Sequence, residues 1–184
     1  MVPSAVKRAF VTVGSTKFDA LIQQVLTDVT LQTFSNNGFT DLVIQAGNSA
    51  LPASWNLIGE DVRRDIGGLT VTVWKFKTSL SEEIERADLV VSHAGSGTIL
   101  DTLRAGKRLI VVPNNTLLDN HQTELAEALH ERGHLVAATV EPRWLFRSLG
   151  EAIASSTTQP GVPFPPLDST AFSRIVDEEM GFAD

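Results

Sequence analysis

Short apolar runs alternate along this chain with stretches of helical spacing, and that alternation restricts the fold more than any other feature. Ala9-Phe10-Val11-Thr12-Val13, Leu42-Val43-Ile44, Leu69 to Trp74, Leu89-Val90-Val91, Leu109 to Val112 and Leu135 to Ala138 are brief, apolar and mostly β-branched. Such runs suit strands buried on both faces. Leu21, Ile22, Val25, Leu26 and Val29 predict one helix from Phe18 to the C-cap signal Asn36-Asn37-Gly38. Further helices are predicted over 79–86, capped by Ser79 or Ser81, after the Gly95–Gly97 turn, over 120–132 and over 142–155. Residues 46–68 are rich in Gly, Pro and Asn and give no clear assignment. Repeated strand–helix–strand units predict an α/β fold: a Rossmann-like, mainly parallel sheet with helices on both faces. Ligands of such sheets bind outside the carboxyl ends of the strands. The segments beginning at Gly14, Ser92 and Pro113 all follow strands on that edge.

Composition narrows the function classes. The chain has 184 residues, of which 42% are hydrophobic and 20% charged, in the range of a globular protein. Its net charge of −7 argues against binding nucleic acid, whose phosphates need a basic surface. Cysteine is absent, which removes disulfides and thiolate metal sites. No apolar run approaches the ~20 residues that span a bilayer, and residues 1–8 lack the apolar core of a signal peptide. A cytoplasmic chain without a membrane span is expected.

The stretch Ser92 to Thr98 carries the most chemistry. Gly95 and Gly97 allow a sharp turn and close approach of backbone to a ligand. The helix that follows presents free N–H groups and a partial positive charge, a fit for phosphate. Ser96 and Thr98 add hydroxyls, His93 can donate from its ring, and Asp101 stands four residues past Gly97, in reach of a ribose hydroxyl. A plain strand-to-helix turn, with Asp101 serving only the helix dipole, is the competing interpretation.

Three familiar motifs fail. The dinucleotide fingerprint lacks its third glycine, because position 100 is leucine. A phosphate loop ending at Gly106-Lys107 lacks both its first glycine and the following Ser or Thr. His130-Glu131-Arg132-Gly133-His134 matches the zinc-protease pattern in letters. However, Gly133 is placed to end the helix before His134, so no metal is expected there. Asn114-Asn115-Thr116 is a glycosylation sequon, expected to be unmodified.

The segment from Ala87 to His134, with S-H-A-G-x-G-T, V-P-N and D-N-H-Q-x-E-L-A in order, resembles the donor-binding half of GT-B glycosyltransferases. Within them it is most similar to the donor-binding subunits of the UDP-N-acetylglucosamine transferases of dolichol-linked oligosaccharide synthesis. A bacterial lipid-linked muramyl-peptide GlcNAc transferase, with both halves in one chain, looks like a more distant relative. The opening Phe10-Val11-Thr12-Val13-Gly14-Ser15-Thr16 fits as well, and the likeness covers about 9–155.

The resemblance implies roles residue by residue. Gly14, Ser15 and Thr16 face the donor diphosphate, and His93, Gly95, Ser96, Gly97 and Thr98 form a second phosphate-facing turn. Asp101 holds the ribose, where the family more often has glutamate. Phe76 lies near the uracil, and Asn120, His121 and Gln122 touch the sugar hydroxyls. Alternatives stay open: Phe76 as core, Ser15 and Thr16 as caps of the first helix, Asn120 as an N-cap.

The resemblance also implies a division of labour. It makes residues 1–155 a donor domain for UDP-GlcNAc; from the sequence itself, the prolines of 156–168 predict a linker, and the near-helical spacing of Phe172, Ile175, Val176 and Met180 predicts a helical tail over 169–184. A membrane-anchored partner supplies the acceptor-binding face, the lipid-linked GlcNAc acceptor and the catalytic base, and recruits the chain to the cytosolic face of the endoplasmic reticulum. No cofactor is expected. The rival expectation is a nucleotide-sugar-binding or regulatory module without catalysis.

Overall fold

The structure, a computed structural model, describes residues 6–56, 60–114, 121–140, 147–156 and 161–165. The predicted tail helix at 169–184 lies outside these residues.

Eight strands form one sheet in the order β3-β4-β2-β1-β5-β6-β7-β8. They are β1 (Arg8–Thr12), β2 (Asp41–Gln45), β3 (Asp61–Ile66), β4 (Leu69–Trp74), β5 (Leu89–His93), β6 (Arg108–Val112), β7 (Val136–Thr139) and β8 (Arg147–Ser148). All neighbours run parallel except β3 and β4. The helices are α1 (Asp19–Val25), α2 (Asp28–Asn36), α3 (Ser81–Arg86), α4 (Ser96–Arg104), α5 (His121–Glu131) and α6 (Leu149–Ser156). One core joins α1, α2 and α6 to one sheet face through Val11, Ile22, Phe34, Ile44 and Ile153. The other joins α3, α4 and α5 to the opposite face through Phe10, Val43, Ile84, Val90, Ile99 and Leu129. The expected Rossmann-like architecture is therefore present, and burial on both faces accounts for strands without polar alternation.

Two predicted helices differ, and strand β3 was not predicted. The single helix from Phe18 is two helices, divided at Leu26-Thr27. Thr27 has extended backbone, and its Oγ1 accepts the Thr30 N–H at 3.3 Å, capping α2. Val29, counted in the apolar stripe, is 74% exposed, because α2 turns Leu31 and Phe34 inward on a new phase. Of the helix predicted over 142–155, residues 142–146 lie outside the described residues, Arg147–Ser148 form the short edge strand β8, and α6 runs over Leu149–Ser156. Strand β3 appears in the stretch without assignment. It pairs antiparallel with β4 through a two-residue turn at Gly67-Gly68, both at positive φ, the geometry such hairpins need.

Part of the proline-rich segment packs on the domain. The Val162 N–H donates to the Gly133 carbonyl at 2.9 Å, and Phe164 meets the His134 ring edge-on. The zinc-like motif is divided as expected. Helix α5 ends at Glu131, Gly133 has φ +74, and the two histidine rings set Nδ1 against different backbone carbonyls, Leu135 and Val162.

Candidate functional site

Three chain segments meet at the carboxyl edge of β1, β2 and β5. The first is the turn after β1. Gly14 takes φ +59, and the Thr16 hydroxyl donates to the Val13 carbonyl at 2.6 Å. Ser15 is exposed. Neither hydroxyl caps α1, whose N-cap is Phe18 without a side-chain bond, so the capping alternative does not hold.

The second is the turn after β5. His93 is the last strand residue rather than part of the turn, and its ring is 6% exposed. It is wedged between the two glycine turns. A Cβ on Gly95 would lie 2.4 Å from its Nε2, and one on Gly14 would lie 2.9 Å from its Cε1. Both positions must therefore be glycine while this ring stands between them. Gly97 differs, because nothing lies within 4 Å of its Cβ position. The protein's own packing does not demand glycine there.

Helix α4 begins at Ser96 with Gly95 as N-cap, and Gly95 has no side chain to take a first-turn N–H. The helix start thus keeps its donors for a ligand. Ser96 is exposed and Thr98 half-buried beside them. Asp101 is exposed four residues past Gly97, on the solvent side of α4, while Ile99, Thr102 and Leu103 face the core.

The third segment, Gln45 to Ala50, gave no signal in the sequence. Gln45 is buried at the end of β2, its Nε2 donating to the Gly14 carbonyl at 2.6 Å. Asn48 Nδ2 donates to the Ser15 carbonyl at 2.7 Å, and the Asn48 N–H to the Thr16 carbonyl at 3.1 Å. Ser49 Oγ accepts the Phe18 N–H at 2.8 Å, and Asp19 Oδ1 the Ala50 N–H at 2.9 Å. The turn after β1 is therefore laced to the chain leaving β2.

Asn114, at the end of β6, is buried, with Nδ2 donating to the Lys17 carbonyl at 3.1 Å. A side chain used in this way is no acceptor for a glycan. Gln122, in the first turn of α5, accepts the Asn114 N–H at 3.4 Å. Asn120 lies outside the described residues, and His121 is described only as the first residue of α5. Phe76, just beyond β4, is 54% exposed, which disposes of the core alternative.

Burial holds the His93 imidazole below its ordinary value, against a smaller upward pull from the Thr12 backbone. Its Nδ1 has no hydrogen-bond partner, so that pull is not an aligned bond. The unfolded ring takes its proton near 6.5, the folded ring only at lower pH. Stability from the neutral ring is therefore whole above about 6.5 and is lost as pH falls toward the folded value. Replacement by a group that does not titrate, His93→Gln, is expected to flatten the loss between pH 7.5 and 5.5 in urea denaturation. Equal losses in the two proteins would rule His93 out as its source.

Among the described residues no cluster of acids and histidines could hold a metal, and no helix is long and apolar enough to cross a membrane.

Comparison with known proteins gives this arrangement its relatives. Residues 8–161 match the model of the glycosyltransferase family 28 C-terminal domain. The human UDP-N-acetylglucosamine transferase subunit ALG13 is 40% identical over 171 residues, covering 92% of this chain but only 14% of its own length. The subunit of the same name from Saccharomyces cerevisiae is 32% identical over 198 residues, covering 95% of this chain and 96% of its own. An NMR solution structure of ALG13 superposes with a TM-score of 0.63 at 28% identity, over 92% of this chain and 94% of that one. Other solved glycosyltransferases, less than 25% identical, share the fold alone, and the chain matches 36% and 51% of two of them. With the family match spanning most of the chain, and both glycine turns and the α4 start inside it, the chain belongs to the glycosyltransferase family 28 C-terminal domain family.

Proposed function

We propose that the chain is the donor-binding catalytic subunit of a two-subunit inverting glycosyltransferase. It moves N-acetylglucosamine from UDP-GlcNAc to GlcNAc-diphosphodolichol, held by a membrane-anchored partner at the cytosolic face of the endoplasmic reticulum. One observation carries the reading. The Gly14 turn and the uncapped start of α4 meet around His93, with Asp101 on the exposed side of the same helix. The names of the relatives, each a UDP-N-acetylglucosamine transferase subunit, support the donor and the subunit role.

The chemistry follows from where the donors stand. The acceptor hydroxyl attacks the anomeric carbon, and the bond from that carbon to the β-phosphate oxygen breaks. UDP leaves with negative charge growing on the β-phosphate. The N–H groups of Ser96, Gly97 and Thr98, with the nearby hydroxyls, are fixed before that charge appears. Donors of this kind are typically worth ~3 kcal/mol each. The sequence has no Asp-x-Asp pair, so the helix start and hydroxyls carry the charge in this reading. Asp101 accepts from the ribose, Phe76 lies beside the uracil, and Asn120, His121 and Gln122 serve the sugar. The base that takes the acceptor proton belongs to the partner.

The test is ligand titration of the purified chain. UDP is expected to shift the backbone NMR signals of Gly14–Thr16 and Ser96–Thr98. Asp101→Ala is expected to weaken UDP by about 1.5–3 kcal/mol, the loss of a hydrogen bond to a charged group. The exposed side chain makes the variant's folding a minor concern. Unchanged UDP affinity in a folded Asp101→Ala protein would remove the ribose role.

A further inference from the structure

We propose that Gln45 is a positioning residue that sets the distance between the phosphate-facing and base-facing halves of the donor site. This rests on the site reading above. It adds a determinant of how well a nucleoside diphosphate is held relative to its separate parts.

Gln45 ends β2, the strand between β1 and β4, and its side chain is 2% exposed. Its Oε1 accepts from Thr12 Oγ1 at 2.5 Å. Its Nε2 donates to the Gly14 carbonyl at 2.6 Å and to the Lys75 carbonyl at 2.8 Å. The amide orientation follows from these partners. Both neighbours of Nε2 are carbonyl oxygens, which only accept, and a flipped amide would set oxygen against oxygen twice.

The three bonds reach two parts of the site. Thr12 Oγ1 also accepts the Gly14 N–H at 3.1 Å, so the Thr12–Gln45 pair holds the Gly14 residue by both its N–H and its carbonyl. Gly14 opens the phosphate-facing turn. Lys75 directly precedes Phe76, the exposed aromatic of the base-facing half, and its carbonyl also accepts the Gly47 N–H at 3.1 Å. Strands β1 and β4 are not neighbours in the sheet, and just beyond their carboxyl ends main-chain bonds tie each to the chain of β2, Val13 N–H to the Gln45 carbonyl at 3.3 Å and Gly47 N–H to the Lys75 carbonyl at 3.1 Å. The Gln45 amide adds a single side chain bonded to both sides at once, from the strand between them. Only a primary amide offers one acceptor and two donors at this reach. Glutamate lacks the donors, and asparagine is one carbon shorter.

A ligand occupying one half does not sense the spacing of the halves, whereas UDP spans both. Gln45→Met keeps the side-chain length and removes all three bonds. Dissociation constants for UDP, uridine and inorganic pyrophosphate are measured by NMR titration of the full chain. The expected result is a loss of about tenfold for UDP, with uridine and pyrophosphate each weakened far less. A purely structural amide would weaken all three alike or none, and either pattern overturns the proposal. If Gln45→Met does not fold, Thr12→Val removes the hydroxyl that supports both Gln45 and Gly14, and the same ratios decide. No UDP binding by the wild-type chain would sink the site reading and this inference together. Normal wild-type binding with an unchanged UDP-to-uridine ratio in the variant would sink this inference alone.

Discussion

Gly47→Ala is expected to destabilise the chain by about 3 kcal/mol and to cripple UDP binding at the same time. Gly47 sits at φ +52 against the turn after β1, proposed to face the phosphates. A methyl group there would stand 2.5 Å from the Gly14 carbonyl oxygen, 2.8 Å from the Thr16 carbonyl oxygen and 3.1 Å from Val13 Cγ2. The two oxygens belong to main chain and cannot swing aside. The left-handed backbone costs a residue with a Cβ roughly 1–2 kcal/mol. Forcing extra volume into packed structure adds roughly 1–3 kcal/mol. Whatever relaxation occurs must move Gly14 and Thr16, which belong to the site. Gly106→Ala supplies the control. Gly106 has φ +66 but nothing within 4 Å of its Cβ position, so only the backbone cost applies. Chemical denaturation of the two variants side by side checks the claim, and equal stabilities would refute it.

The purified chain is expected to bind UDP-GlcNAc yet transfer almost nothing to a GlcNAc-diphospholipid. Transfer should rise by orders of magnitude once the membrane-anchored partner is present. The reacting oxygen and the anomeric carbon must be held ~3–3.5 Å apart, and that alignment can supply ~7–11 kcal/mol of the barrier. The described residues build the donor side of such an arrangement: two glycine turns, one helix start and Asp101, all on one edge of one sheet. His93, placed at the turns, is a buried wedge held toward its neutral form. Its ring is committed to the two glycines rather than free to take a proton from an incoming hydroxyl. Radiolabelled transfer by the chain alone and by the reconstituted pair tests the division. Robust turnover by the isolated chain would place the base in this sequence and end the split-site account.

What the sequence disclosed depended on where the physical cause lay. Strands buried on both faces write themselves as continuous apolar runs, so β1, β2, β4, β5, β6 and β7 were legible, and with them the sheet's character. The turn at Gly95–Gly97 was legible because glycine before a helix has few purposes. Strand β3 was hidden because an edge strand tolerates charge. Asp61, Arg63, Arg64 and Asp65 mask its pattern, although Gly67-Gly68 between Ile66 and Leu69 carried the hairpin signal. The break between α1 and α2 was hidden because Val29 continued the apolar spacing across Thr27. Gln45 could not be found at all. Its importance lies in three partners on two other segments, at Thr12, Gly14 and Lys75, and no local pattern records them.

The position of β1 in the sheet also bears on how the chain acquires its function over time. Among the described strands β1 comes before the other seven in the chain, yet it lies between β2 and β5. Arg8 and Asp88, 80 residues apart in sequence, are hydrogen-bonded where β1 meets β5. Pairing across such separations is slow, because the loop must close before any contact compensates for its entropy. A nascent chain therefore carries an incomplete site until β5 has emerged and His93 can settle against Gly14. In the proposed function, nucleotide binding would thus be a late folding event, and it would report that the central sheet has closed around β1.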